Sequence, residues 1–169
     1  MIPYSNPWFR VVKDGRYYYI EETGEQSGAA VLPIWGDNVV LLQMNRVSQG
    51  CETFEIPRGY AESGETTAQC ATRELLEETG LFLDPTAMEL LGFVRPNTGL
   101  LRSRIPMFLA RISAETPQVS RDAEATNIIL VPLTQLDEKL RSGLVEDSFT
   151  LSALAMLNVQ YSKGHLSPA

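Results

Sequence analysis

The segment from Gly59 to Leu81, GYAESGETTAQCATRELLEETGL, constrains this chain more than any other. It predicts one helix with defined ends. Ser63 to Thr66 supplies hydroxyls that cap a first turn, and Glu65 sits at the positive end of the dipole. Gly80 is a natural left-handed stop, reinforced by Asp84-Pro85. Ala68, Ala71, Leu75 and Thr79 recur at helical spacing and are expected to face a core. Glu74, Glu77 and Glu78 then share an adjacent stripe within an arc of about 100°. Carboxylates packed so closely repel. Arg73 lies four residues before Glu77 and can pair with it, but one arginine does not balance three glutamates. A hard divalent cation does, because magnesium takes oxygen ligands from a few carboxylates, waters and phosphates. The competing reading is a solvated acidic helix face. The preceding Glu55-Ile56-Pro57-Arg58-Gly59 loop and Glu65 favour the metal site.

The rest of the chain reads as strands around that helix. Trp8 to Ile20 predicts a hairpin turning at Asp14-Gly15, and a turn-rich segment runs from Glu21 to Gly28. Ala30–Trp35 and Val39–Gln43 predict a second hairpin around Gly36-Asp37-Asn38. Met88 to Arg95, Ile105 to Ile112 and Ile128 to Val131 read as further strands, the first two separated by a loop from Pro96 to Arg104. Leu133 to Arg141 and Thr150 to Gln160 carry helical patterns, with Leu151, Leu154, Ala155 and Leu157 on one side of the second. This order predicts an α/β fold, a mixed sheet covered by helices on both faces. At 169 residues one main domain is expected, divided as a β-hairpin region over 1–27 and the larger domain over 28–169.

The net charge of −7 argues against nucleic-acid binding, which needs a basic surface. Seven glutamates fall between Glu52 and Glu78, so part of that charge belongs to the candidate site. A polyanionic substrate held there again calls for cations between the two. No apolar run approaches a transmembrane length, and the N-terminus lacks the apolar region of a signal peptide, so a cytoplasmic location without membrane association is expected. Cys51 and Cys70 are too few for a disulfide framework, with Cys70 expected to pack. The lone His165 falls in a polar tail and reads as part of a frayed end.

The spacing from Gly59 through Glu65 to Arg73-Glu74-Leu75-Leu76-Glu77-Glu78-Thr79-Gly80-Leu81 resembles the Nudix hydrolase signature, matched at nine fixed positions over twenty-three residues. The resemblance implies an α/β/α sandwich and hydrolysis of a nucleoside diphosphate linked to another group, with Mg2+ or Mn2+. It assigns Glu74 and Glu78 as metal ligands, helped by Glu77 and the Arg58 carbonyl, while Glu65 and Arg73 hold them in place.

Four further features resemble the ADP-ribose pyrophosphatase branch. They are Pro96, sixteen residues beyond Gly80; the Glu55–Gly59 lead-in; the Leu42–Arg46 strand with its arginine; and the closing segment Gly143 to Leu154. ADP-ribose, cleaved to AMP and ribose 5-phosphate, is therefore the leading substrate. A GDP-mannose-type nucleotide sugar, a dinucleoside polyphosphate and a nucleoside triphosphate are alternatives, and a non-catalytic nucleotide-sensing module is a rival of another class. Arg46, Arg58, Pro96, Gly99, Arg102 and Trp8 are candidate substrate contacts, with Tyr4 and Tyr17 to Tyr19 as further aromatics for a base. In that branch the catalytic base comes from a later loop, which here is Ser120 to Glu124. Glu124 is the first candidate, Asp122 the second and Glu77 the third. The branch also implies a homodimer built through the N-terminal hairpin. Arg58 stands where the branch commonly has alanine, and the 97–104 loop is more basic than expected; both bear on substrate choice.

Overall fold

The computed structural model describes residues 2–22, 28–113 and 125–162. Two sheets organise it. The smaller contains β1 (Tyr4–Ser5), β2 (Phe9–Asp14) and β3 (Tyr17–Glu22), all antiparallel. Asp14 pairs with Tyr17, so the turn residues are Gly15-Arg16, one position beyond the expected Asp14-Gly15. Gly15 has φ of 58° at the first turn position, where a two-residue hairpin needs glycine. Strand β3 also runs two residues past the expected end at Ile20, through Glu22.

The larger sheet holds β4 (Ala29–Trp35), β5 (Asn38–Arg46), β6 (Cys51–Glu55), β7 (Arg58–Gly59), β8 (Glu89–Val94), β9 (Ile105–Ile112) and β10 (Ala125–Pro132). Its main order is β10-β5-β4-β9-β8, with β6 on β5 and β7 on β4. Among the described residues of this sheet only the β4–β9 pairing is parallel, which makes the sheet mixed. Strands β6 and β7 were not anticipated. The first alternates polar and apolar residues weakly, and the second is two residues long and held by its pairing to Ala29 and Ala30. Conversely β10 extends the expected Ile128–Val131 core at both ends, with a register break between Ala125 and Asn127.

The helices cover both faces. Residues alternate across β4, so Ala30, Leu32 and Ile34 join one core while Ala29 and Val31 join the other. Helix α1 (Thr67–Thr79) seals the second core with Cys70, Ala71 and Leu75. Helix α3 (Ser148–Ser162) seals the first with Ala153, Leu154 and Leu157, next to α2 (Leu136–Arg141), which follows a single 3-10 turn at Leu133–Gln135. The α/β/α sandwich expected from the sequence is therefore present.

The apolar face of α3 differs from expectation, because Leu151 and Ala155 are exposed. Thr150 rotates the face. It is fully buried, its hydroxyl donates to Asp147 Oδ2 and accepts from the Ile56 N–H. With Thr150 inward, positions 153, 154 and 157 follow at helical spacing. Asp147 Oδ2 also accepts from the Thr150 N–H at 2.8 Å and caps the helix.

The two sheets meet through the loop after β8. Ile20 donates to Leu100 O at 2.7 Å, and Arg102 donates to Ile20 O at 3.0 Å, so Leu101 bridges the edge of β3. Glu21 reinforces the junction as a buried carboxylate between Arg10 and Arg102, whose hydrogen bonds hold its pKa below the usual range.

Candidate functional site

The ends of α1 follow the chemistry of its sequence. Thr66 accepts from the Gln69 N–H while Gln69 Oε1 accepts from the Thr66 N–H, a reciprocal cap. Gly80 closes the helix in the left-handed conformation at φ 70°. Between these ends Arg73 is the organiser. Its guanidinium donates to Glu65 Oε1 at 3.1 Å, Glu74 Oε1 at 2.7 Å, Glu77 Oε2 at 3.0 Å and the Tyr60 carbonyl at 2.8 Å. One arginine thus fixes the 60–65 loop to the helix and hydrogen-bonds three carboxylates. Glu78 is treated differently: its Oε2 accepts from the Arg58 N–H at 3.1 Å. Burial first, and then the nearby Glu74 carboxylate, push the Glu78 carboxyl up to about 8. Burial also raises Glu74, against the pull of Arg73.

Gly59 is required by proximity. A β-carbon there would lie 2.1 Å from Glu74 Oε1 and 2.3 Å from its Cδ, so the carboxylate occupies the space a side chain would take. Cys70 is buried beneath this contact, and its Sγ donates to Gly59 O at 3.6 Å. Burial, followed by the charges of Glu74 and Glu65, pushes its thiol up to about 12, which fits packing rather than nucleophilic chemistry.

Glu74, Glu78 and Gly59 line a cavity of about 540 Å3 shared with Arg46, Arg58, Glu22, Tyr60, Pro96, Ser103 and Phe149. Its cationic side is anchored by Glu55, which is almost fully buried. Arg46 donates to it at 2.8 Å and Arg58 at 2.6 Å. Burial raises the Glu55 carboxyl, but the hydrogen bonds of Arg46 and Thr53 and the charge of Arg58 overcome that and bring it to about 2. Arg58 also approaches Asp147 at 3.5 Å and stacks over the Phe149 ring at 4.4 Å. The cavity therefore sets one buried and one partly buried acidic group of a single helix against two fixed guanidiniums.

Comparison with known proteins agrees with this geometry. The NUDIX domain profile matches residues 24–151. The chain belongs to the Nudix family. A Nudix-family protein of Caenorhabditis elegans is 33% identical over 132 residues, 70% of this chain and 56% of that protein. An ADP-ribose pyrophosphatase of Methanocaldococcus jannaschii is 43% identical over 58 residues, 33% of this chain and 32% of that enzyme. The chain thus spans about half or less of the length of these relatives. The crystal structure of an ADP compounds hydrolase superposes with a TM-score of 0.78 over 98% of this chain and 94% of that one, at 16% identity, which speaks to the fold.

Nudix proteins generally use divalent metal ions, and the donor set here fits one. Among the described residues no group of three or more His, Cys, Asp or Glu side chains closes on a point. Two carboxylates of α1, Glu74 and Glu78, line the cavity, both with raised pKa values, beside the backbone of Arg58 and Gly59. Two carboxylates with room for waters and phosphates is a magnesium-like arrangement.

The structure brings together most of the residues singled out from the sequence. Arg46, Arg58, Pro96, Glu74 and Glu78 line the cavity, whereas Glu77 turns its half-exposed carboxylate to Arg73. Gly99 sits in a tight turn, donating to Asn97 Oδ1, outside the cavity lining. Arg102 reaches Glu21 at the sheet junction rather than the cavity. Trp8 is largely exposed and stacks on Tyr60 at 6.2 Å, so it reaches the cavity through that ring. Asp122, Glu124 and His165 lie outside the described residues. Glu22, Tyr60, Ser103 and Phe149 were missed. Glu22 and Ser103 carry no sequence signal, while Tyr60, next to the box glycine, and Phe149, within the closing segment, lay in stretches already singled out.

Proposed function

We propose that this chain is a divalent-metal-dependent pyrophosphatase acting on a nucleoside diphosphate derivative, with ADP-ribose, cleaved to AMP and ribose 5-phosphate, as the leading substrate. The observation that carries the reading is the opposition of Glu74 and Glu78 to Arg46 and Arg58 across one cavity, on a complete Nudix box. In this reading Glu74, Glu78 and the Arg58 carbonyl hold Mg2+ or Mn2+, which neutralises phosphate charge and lowers the pKa of a bound water. Arg46 and Arg58, held in place by Glu55, position the phosphates, and Arg73 fixes the carboxylates that face them. Water adds to one phosphorus as the bridging P–O bond breaks, so two monophosphates leave. Glu124, with Asp122 as second candidate, supplies the base from the 120–124 loop. The name of the Methanocaldococcus jannaschii relative supports the substrate.

The same reading takes 1–27 as the hairpin region and 28–169 as the catalytic domain, in a cytoplasmic homodimer. Among the described residues no helix is long and apolar enough to cross a membrane. The deciding experiment is mass-resolved product analysis with ADP-ribose, GDP-mannose, diadenosine polyphosphates and nucleoside triphosphates, each with Mg2+, Mn2+ or EDTA. AMP and ribose 5-phosphate formed only with metal are expected. Preferential cleavage of another member reassigns the substrate. No turnover on the whole panel refutes the enzyme reading in favour of a nucleotide-sensing module.

A further inference from the structure

Glu22 adds a third carboxylate to the cavity lined by Glu74 and Glu78. Glu22 ends β3, beside Glu21, and successive strand residues face opposite sides. Glu21 turns to Arg10 and Arg102, while Glu22 turns into the cavity that holds Glu74 and Glu78. Ser103, which is buried, and Tyr60 line the same cavity, and their hydroxyls favour the charged form of the Glu22 carboxyl. Glu22 Oε2 is buried from solvent with no hydrogen-bond partner among the described residues. A buried acceptor left unsatisfied is expensive and uncommon, and calls for a partner from outside the fold.

We propose that Glu22 is a specificity-determining residue, whose Oε2 accepts a hydrogen bond from a neutral hydroxyl or amino group on the organic part of the substrate. Three segments converge to build this acceptor: the last residue of the small sheet, Tyr60 directly after the box glycine, and Ser103 from the loop that docks on β3. These segments surround the Glu22 carboxyl, so its Oε2 is offered to the cavity rather than to water. A single oxygen does not build a metal site, which draws on several oxygen ligands. A carboxylate also repels phosphate, so Glu22 receives the uncharged part of the substrate while Arg46 and Arg58 receive the phosphates. Burial raises the Glu22 carboxyl, in keeping with an acceptor removed from water.

The inference rests on reading this cavity as the nucleotide site, and its test is a cycle between residue and substrate. Wild type and Glu22→Ala are assayed on ADP-ribose, on its inosine analogue, which lacks the base amine, and on its 2′-deoxy analogue, which lacks a ribose hydroxyl. In the wild type one analogue loses at least about 10-fold in kcat/KM, because a site built around a hydrogen bond rejects a ligand that lacks the donor. That analogue identifies the donor. In Glu22→Ala the preference shrinks to within about twofold, and the loss on ADP-ribose falls mainly on KM, as expected for binding shared by ground and transition states. If the alanine variant does not fold, Glu22→Gln carries the test. It exchanges a charged acceptor for a neutral one and should cut the preference at least about threefold.

Equal rates on all three compounds in the wild type overturn the inference, as does a preference that survives the substitution. Calorimetric titration of α,β-methylene-ADP and its inosine and 2′-deoxy counterparts separates this result from the proposed function. A Glu22-dependent preference in binding without turnover of ADP-ribose refutes the proposed substrate and keeps the role of Glu22. Turnover without that preference refutes the role of Glu22 alone, and no binding of any of the three compounds refutes both.

Discussion

Replacing Glu78 with glutamine separates the cost of holding this carboxylate from its use. In the folded protein its pKa rises from the ordinary 4.5 to about 8, through burial first and the Glu74 charge second. Between these values the folded state keeps a proton that the unfolded chain has released. Stability of the metal-free protein therefore falls as pH rises across that window, and the penalty is complete above about 8. At about 1.4 kcal/mol per pH unit the gap sets a ceiling of about 5 kcal/mol. Glu78 is only partly buried and shares the repulsion with Glu74, so a realistic loss is about 2 kcal/mol. Glutamine does not titrate. Urea unfolding in EDTA at pH 5 and pH 8.5 should show the wild type losing about 2 kcal/mol more than Glu78→Gln. With saturating Mg2+ the same variant should lose kcat by about 1000-fold, the scale of removing one stabiliser of transition-state charge. Parallel pH–stability profiles would refute the electrostatic argument. A wild-type kcat would refute the role of Glu78 in holding metal.

Gly59→Ala should lower kcat at least about 10-fold with the helix content unchanged by circular dichroism, because the new methyl displaces Glu74 from 2.1 Å away. Glu55, depressed to about 2, contributes stability that is present above pH 4.5 and lost as pH falls toward 2; acid unfolding of Glu55→Gln should lack up to about 3 kcal/mol of that loss. Glu124→Gln should lower kcat with little change in KM, and Asp122→Asn should do less; two variants with normal kcat would move the base to Glu77. Light scattering at micromolar concentration should report a dimer for the full chain, and a monomer would refute assembly through the hairpin.

What the sequence disclosed depended on how local the cause was. The box was legible because its determinants lie on one helix and its caps, where Thr66, Arg73 and Gly80 act within a few residues of their partners. Arg73 also meets Glu65 and Tyr60, as the resemblance implied in giving Arg73 and Glu65 the holding of the loop, and it does so because the preceding loop folds back over the helix. Strand β7 was hidden for the opposite reason: two residues carry no periodicity, and its identity comes wholly from pairing with β4. Arg58 shows how little of a side chain's setting its place in the sequence gives. Its clamp between Glu55, Asp147 and Phe149 joins its own stretch to one about ninety residues away. That clamp explains why a long side chain is tolerated there. Its charge is tied back to the wall of the cavity, leaving the centre open, and Glu55 Oε2 accepts from both cavity arginines. Glu22 is the extreme case. Nothing in Tyr-Tyr-Tyr-Ile-Glu-Glu separates one glutamate from the next, yet strand alternation sends Glu21 to a salt-bridged junction and leaves Glu22 with an unmatched oxygen inside the cavity. The box thus carries the local charge pairings, while the rest of the cavity lining is assembled by contacts that only the tertiary fold creates.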